Sequence, residues 1–337
     1  MPLFAVAALL TLAATPLLTR YARRQGLIDK PDPRRLHIGE VVRGAGAAMV
    51  GVFLLCTAVG PWLAPDLMVQ PLTLAAGLYV AVLGALGFWD DHQPIAARWR
   101  ASIQLVATAG LLLALPLPEG ALALPLVALA GVLLIVWWIN LFNFMDGSNG
   151  MAAVQALFMG LAASWLVAES AVGGTEAYHA RLCALLTAGV AAGFLPWNFP
   201  RPRAFMGDVG SYGLAAMLTV TALLGLRSAS LQWAEVLLLP AVFVLDASLT
   251  LLRRVLARRR WYDAHREHVY QRLAAGGVGA AGVLMIYTVV NAGFILPAVW
   301  FQRRNPELST LTVFVVYGLL IAAWLIVSRA LDRRQGT

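Results

Sequence analysis

The sequence predicts an all-α, polytopic membrane protein of about eleven transmembrane helices, with its N-terminus outside and its C-terminus cytosolic. Composition is the first observation behind this. Of 337 residues, 60% are hydrophobic and 12% charged, where an ordinary soluble domain carries about 25% charged residues. Spacing is the second. Apolar runs recur along the chain, each close to the ~20 residues that carry a helix across a bilayer. Barrel strands would alternate and be about half as long. The third is the placement of Lys and Arg, which gather on alternate sides of those runs.

The runs lie near 2–19, 45–62, 71–88, 101–116, 122–139, 151–168, 181–196, 212–226, 234–252, 280–300 and 310–328. The first has no basic segment before it, and Arg20, Arg23 and Arg24 follow it. It therefore reads as a retained helix that starts outside, not as a signal peptide. Those arginines open the first inside segment, 20–44, which holds seven Lys or Arg. The later inside segments, 89–100, 140–150, 197–211, 253–279 and 329–337, hold two, none, two, seven and three. Arg181, Arg227, Arg303 and Arg304 remain for the outside. An excess of Lys and Arg marks the cytoplasmic side, so the net charge of +8 is a topology signal with some headgroup attraction. It does not argue for nucleic acid.

Cys56 and Cys183 fall inside spans, which removes a disulfide framework and a cysteine metal site. No long linker, low-complexity tract or soluble module interrupts the chain. Residues 1–337 read as one membrane domain.

Polar residues of unusual kind gather in the inside segments. Asp90-Asp91 stands where the third span meets the cytosol. Adjacent acids there oppose the helix dipole and repel each other unless a cation compensates. The stretch Asn140-Leu141-Phe142-Asn143-Phe144-Met145-Asp146-Gly147-Ser148-Asn149-Gly150 opens the sixth span. Asn143 and Asp146 offer hard oxygen ligands, and a helix start suits an anion such as pyrophosphate; a capped turn is the plainer alternative. Trp197 to Ser211 leads into the eighth span, with Asn198, Arg201, Arg203 and the sequence Phe205-Met206-Gly207-Asp208-Val209-Gly210. Asp208 between glycines suits a metal held near a phosphate, and the arginines suit phosphate oxygens. The longest inside loop carries His265-Arg266-Glu267-His268. Two histidines lack the third ligand that catalytic zinc wants, so a diphosphate clamp is the better reading. Asp246, inside the ninth span, asks for either a partner or a function. The first inside loop, Asp29 to Gly39, reads as a flap over the site or as a solvated loop.

Taken in order, these clusters resemble the polyprenyl-phosphate N-acetylhexosamine-1-phosphate transferase superfamily. The resemblance rests on Asp90-Asp91, Asn-x-x-Asn-x-x-Asp-Gly at 140–147 and Trp-Asn-x-Pro to Phe-Met-Gly-Asp-x-Gly-Ser at 197–211. It also rests on His-Arg-x-His at 265–268 and Asp-Lys-Pro-x-x-Arg-Arg-x-His at 29–37. The motif-bearing part runs from about 29 to 273. His265-Arg266-Glu267-His268 is similar to the sugar-nucleotide branches, and Asn143 to Gly147 looks most like O-antigen-initiating members. The chain departs at Asn149, where many members have Asp, and at Met151, where many have Leu.

The resemblance implies transfer of an N-acetylhexosamine-1-phosphate from a UDP-sugar to undecaprenyl phosphate, with release of UMP. It implies Mg²⁺, with Mn²⁺ as a substitute, held by Asp208 and Asn143. Asp90, Asp91 and Asp146 are then the catalytic acids. Asn140, Asn149, Asn198, Arg203, His265, Arg266 and His268 are the substrate-binding set. The expected place is a bacterial inner membrane, multi-pass, with the active site on the cytosolic face; a homodimer is compatible with this. Two other classes compete, a lipid-linked-sugar flippase and an inactive assembly subunit. A flippase needs a polar path across the membrane, and Asp246 is the one deep acid available to it.

Overall fold

The computed structural model describes residues 2–29, 40–63, 71–115, 125–259 and 265–335. Residues 30–39 of the flap expected at 29–39, and residues 260–264 of the last inside loop, lie outside them. Helices dominate: α1 (Pro2–Arg24), α2 (Ala47–Leu63), α3 (Pro71–His92), α4 (Ala97–Ala114), α5 (Pro125–Phe144), α6 (Met151–Glu169) and α7 (Thr175–Asn198). They continue as α8 (Gly207–Arg227), α9 (Trp233–Leu238), α10 (Ala241–Leu256), α11 (Val269–Leu273), α12 (Gly279–Val290), α13 (Leu296–Arg304) and α14 (Ser309–Gln335).

Among the described residues, eight helical stretches are long and apolar enough to cross a membrane: Pro2–Arg24, Thr73–His92, Pro125–Phe144, Met151–Glu169, Thr175–Asn198, Gly207–Arg227, Val269–Arg304 and Pro306–Arg334. The remaining predicted spans also fall on helices, each weaker by that measure. The second is α2, of 17 residues. The fourth is α4, which carries Arg98 and Arg100 in its first turns. The ninth is broken into α9 and α10 at Pro240, whose ring and missing N–H interrupt a helix. By contrast α12 and α13 run on through a wide turn at Asn291–Ile295, while α11 and α12 meet at a kink where Gly277 has φ +101°.

Helix α8 is the axis of the bundle. Of its apolar window 89% is buried inside the protein, against 6% for the last span. Helices α2, α3, α5, α6 and α7 pack on it. In lipid, close helix approach rests on small residues, because apolar packing gains nothing over lipid tails. A Cβ on Gly46 would stand 2.5 Å from the Gly210 Cα, so α2 begins hard against α8.

One feature departs from the all-α expectation. Ile28–Asp29 (β1) pairs antiparallel with Val41–Val42 (β2), and Val42 bridges Ala204. The Phe205 N–H donates to the Val42 carbonyl at 2.7 Å. This small ladder ties the first inside loop to the segment leading into α8, and so carries Asp29 and Arg43 to the start of that helix.

Candidate active site

The ends of α3, α5 and α7 and the starts of α6, α8 and α11 meet around a cavity of about 260 Å³. It is lined by Asp29, Arg43, Asp91, Asn143, Phe144, Asp146, Gly147, Ser148, Asn149, Asn198, Phe205, Gly207, Asp208, Tyr270 and Gln271. Among the described residues, four carboxylates and one guanidinium thus face one space.

Asp208 sits in the first turn of α8. Its Oδ1 accepts from Asn143 Nδ2 at 2.7 Å, and the same amide donates to Ser211 Oγ at 2.8 Å. Asn143 closes α5, so one hydrogen bond sets two helix ends against each other. Its NH₂ group is spent on this contact, which leaves its carbonyl oxygen for another partner.

Asp91 crowns α3 and is buried. Its two oxygens accept the backbone N–H groups of Asp208 and Val209, each at 3.1 Å. First-turn N–H groups have no partner within their own helix, so the carboxylate of α3 caps α8. Arg43 holds that carboxylate through Nε at 3.2 Å and donates to the Asp91 carbonyl at 3.0 Å. Gly207 makes the approach feasible: its φ is +69°, and a Cβ there would strike the Asp91 carboxylate. Asp90 has a second set of partners, and its carboxylate also stands against that of Asp208. It accepts from Arg100 at 2.7 Å and from the Ile95 N–H at 2.6 Å, closing the turn between α3 and α4, and it does not line the cavity.

Asp146 lies in the loop between α5 and α6. Burial, with the charges of Asp208 and Asp91 added, holds its carboxyl well above the usual carboxylate range. Asn198, at the end of α7, accepts from the Gly150 N–H at 2.6 Å and donates to the Ala204 carbonyl at 3.0 Å. Both ends of that amide are used, so it staples the loop of Asp146 to the loop before α8. Asn149 lines the cavity.

Five other predicted residues stand off the cavity wall. Asn140 donates to Gln104 Oε1 and the Val136 carbonyl, each at 2.7 Å, between α5 and α4. Arg203 is exposed, its guanidinium 5.8 Å from the Trp197 ring. His265 and Arg266 are half-buried, and Glu267 between them and His268 pairs with Arg254 and Arg259. The fifth, His268, is buried with its ring 6.4 Å from Phe144 and 4.9 Å from His265. Burial pushes its imidazole down to about 4, so it is neutral near pH 7. Sequence reasoning passed over Arg43, Tyr270 and Gln271. Arg43 was one more charge in a basic loop, and the other two followed a more conspicuous motif.

The donor set suits a hard divalent cation. Asp208, Asp146 and the Asn143 carbonyl supply oxygen, and among the described residues Arg43 is the one Lys or Arg in the lining. Among the described residues no three His, Cys, Asp or Glu side chains gather as a ready-made metal cage. Two carboxylates and an amide are therefore the set available.

The chain is similar to known proteins over most of its length. Residues 73–226, which carry Asp91, Asn143, Asp146 and Asp208, match the model of glycosyl transferase family 4. The chain is 27% identical over 329 residues to a probable undecaprenyl-phosphate N-acetylglucosaminyl 1-phosphate transferase of Bacillus subtilis, covering 93% of this chain and 88% of that one. It is 28% identical over 350 residues to the decaprenyl-phosphate N-acetylglucosaminephosphotransferase of Mycobacterium tuberculosis H37Rv, covering 93% and 86%. An undecaprenyl-phosphate alpha-N-acetylglucosaminyl 1-phosphate transferase of Thermotoga maritima is 22% identical over 268 residues, covering 79% and 80%. Residues 73–226 are thus similar to glycosyl transferase family 4, and the relatives that align over most of the chain are named as polyprenyl-phosphate N-acetylglucosamine-phosphate transferases.

Proposed function

We propose that this chain transfers an N-acetylhexosamine-1-phosphate, N-acetylglucosamine or a deoxy relative, from a UDP-sugar to undecaprenyl phosphate and releases UMP. The place is the cytosolic face of a bacterial inner membrane, and the step opens the assembly of O-antigen or another envelope glycan. The observation that carries the reading is the meeting of Asp91, Asn143, Asp146 and Asp208 in one cavity at the end of the bundle.

In net terms, a phosphate oxygen of the lipid bonds to the phosphorus that bears the sugar. The bond from that phosphorus to the UMP oxygen breaks, and UMP leaves with the electron pair. Such a transfer asks the protein chiefly for positioning and charge neutralisation. Asp208 and Asn143 would hold Mg²⁺, with Asp146 beside them. Mg²⁺, when bound, supplies the neutralising charge for the diphosphate and the departing UMP. Asp91 keeps the α8 start, and with it Asp208, in register with α3. Arg43 supplies a fixed positive charge beside Asp91. Phe144, Phe205 and Tyr270 give the cavity flat apolar surface for a base or a sugar ring. The flippase reading leaned on Asp246, which is enclosed by donors from neighbouring helices.

The test is UMP release from a panel of UDP-sugars with undecaprenyl phosphate, using the purified full chain with Mg²⁺, Mn²⁺ or chelator. A UDP-N-acetylhexosamine should give UMP with either metal and none with chelator. Asp208→Ala should lower the rate by roughly 10²-fold or more, with little change in melting temperature. Silence with every UDP-N-acetylhexosamine would overturn the proposal.

A further inference from the structure

Asp246 is buried in α10, in a part of the chain where an acid needs a strong reason to be. Five donors surround it. Its Oδ1 accepts the Val269 N–H at 2.9 Å, Trp324 Nε1 at 3.1 Å and the Thr250 hydroxyl at 3.4 Å. Its Oδ2 accepts the Tyr270 N–H at 3.1 Å and the Tyr287 hydroxyl at 2.7 Å. Two of the five are the opening backbone groups of α11, which would otherwise lack partners in an apolar setting.

What α11 carries explains why this matters. Tyr270 and Gln271 line the cavity, and the Tyr270 hydroxyl donates to the Phe144 carbonyl at 2.9 Å. Phe144 ends α5 one residue before the 145–150 loop. Gly147 in that loop lies so close that a Cβ there would strike the Tyr270 hydroxyl. The contacts run without a gap from Asp246 to the α11 start, through Tyr270, to the loop of Asp146 and Ser148.

We propose that Asp246 is a positioning residue for the active site: it caps α11 from a neighbouring helix and, through Tyr270, holds the 145–150 loop in place. Thr250, Trp324 and Tyr287 donate to the same carboxylate from α10, α14 and α12. The kinetic part of this proposal rests on the transferase reading above. The structural part does not.

The experiment uses the full chain with Cys56 and Cys183 replaced by alanine and Ser148→Cys as a reporter. Ser148 is 7% exposed, so a water-soluble maleimide should react with Cys at this position slowly. Asp246→Asn turns an amide NH₂ toward donors and loses acceptor capacity. It should speed labelling about tenfold, the loss expected when a charge-assisted cap is broken. In the Ser148 parent it should raise the KM for the UDP-sugar by a similar factor. Tyr287→Phe removes one donor to the same carboxylate, and should lower the melting temperature while leaving labelling and KM unchanged. Labelling unchanged in Asp246→Asn, or rising equally in Tyr287→Phe in step with its melting temperature, would overturn the proposal. Should Asp246→Asn not fold, Tyr270→Phe cuts the same chain at its other end: faster labelling supports the proposal and unchanged labelling overturns it. A parent enzyme that releases no UMP defeats the transferase reading alone, and the labelling result still decides the role of Asp246.

Discussion

Four carboxylates facing one cavity would repel each other in the absence of compensation, and the side chains around them divide the task. Asp91 is held by Arg43 and two backbone N–H groups, and Asp208 by Asn143. Asp146, in the loop after α5, has its carboxyl held well above the usual carboxylate range by burial first and by the charges of Asp208 and Asp91 second. His268 shows the reverse case, a base kept neutral by burial. Its ring takes a proton only near 4 when folded, against 6.5 when free. Below pH 6.5 the unfolded chain binds the extra proton, so stability falls as pH drops from 6.5 towards 4. The slope from this group is at most about 1.4 kcal/mol per pH unit. His268→Phe keeps a flat ring against Phe144 and removes the titration. Its melting temperature should therefore depend less steeply on pH between 6.5 and 4.5 than that of the parent; equal slopes would remove His268 from the acid response. At neutral pH a diphosphate clamp in this segment draws its charge from Arg266 and not from His268.

At the scale of elements, the recurring device is a helix start capped by a carboxylate from another helix. Asp91 of α3 does this for α8, and Asp246 of α10 does it for α11. Asp90 serves a different junction, the turn from α3 to α4, through Arg100 and Ile95. A double-mutant cycle of Asp90→Ala and Arg100→Ala should show coupling on the order of 1 kcal/mol, less than a fully buried pair because Arg100 is about one-third exposed. Additive effects on stability would mean that the pair does not hold this turn. These junctions also explain what sequence could and could not reveal. The spans were legible because bilayer thickness fixes their length and composition. The acids were conspicuous because Asp-Asp at a helix end opposes the dipole, yet which neighbour relieves each one depends on helix packing. Asp90 and Asp91 are adjacent in sequence and have different partners. Arg43 was one of seven basic residues in its loop, and only its pairing with Asp91 distinguishes it from a topology charge.

Over the whole molecule, the cavity residues come from five stretches that are far apart in sequence and meet at one end of the bundle. That is expected of chemistry on a substrate whose lipid stays in the bilayer while its partner arrives from water. The placement of charge implies which water. Arg203 lies in a basic segment and Gly173 in a segment without Lys or Arg, and the 24 residues of α7 between them reach roughly 36 Å, enough to cross the hydrocarbon core. In the Cys56→Ala, Cys183→Ala background, Arg203→Cys should react with an impermeant maleimide from the cytosolic side, and Gly173→Cys from the opposite side. The number of crossings can be read from the two ends. Eleven crossings put the start of α1 and the end of α14 on opposite faces; the eight long apolar stretches alone would put them on the same face. Pro2→Cys and Arg334→Cys, both at exposed positions, should therefore label from opposite sides, Pro2→Cys from outside and Arg334→Cys from the cytosol. Labelling of both from one side would require an even count, and would mean that α2, α4 or the broken pair α9–α10 does not complete its passage through the membrane.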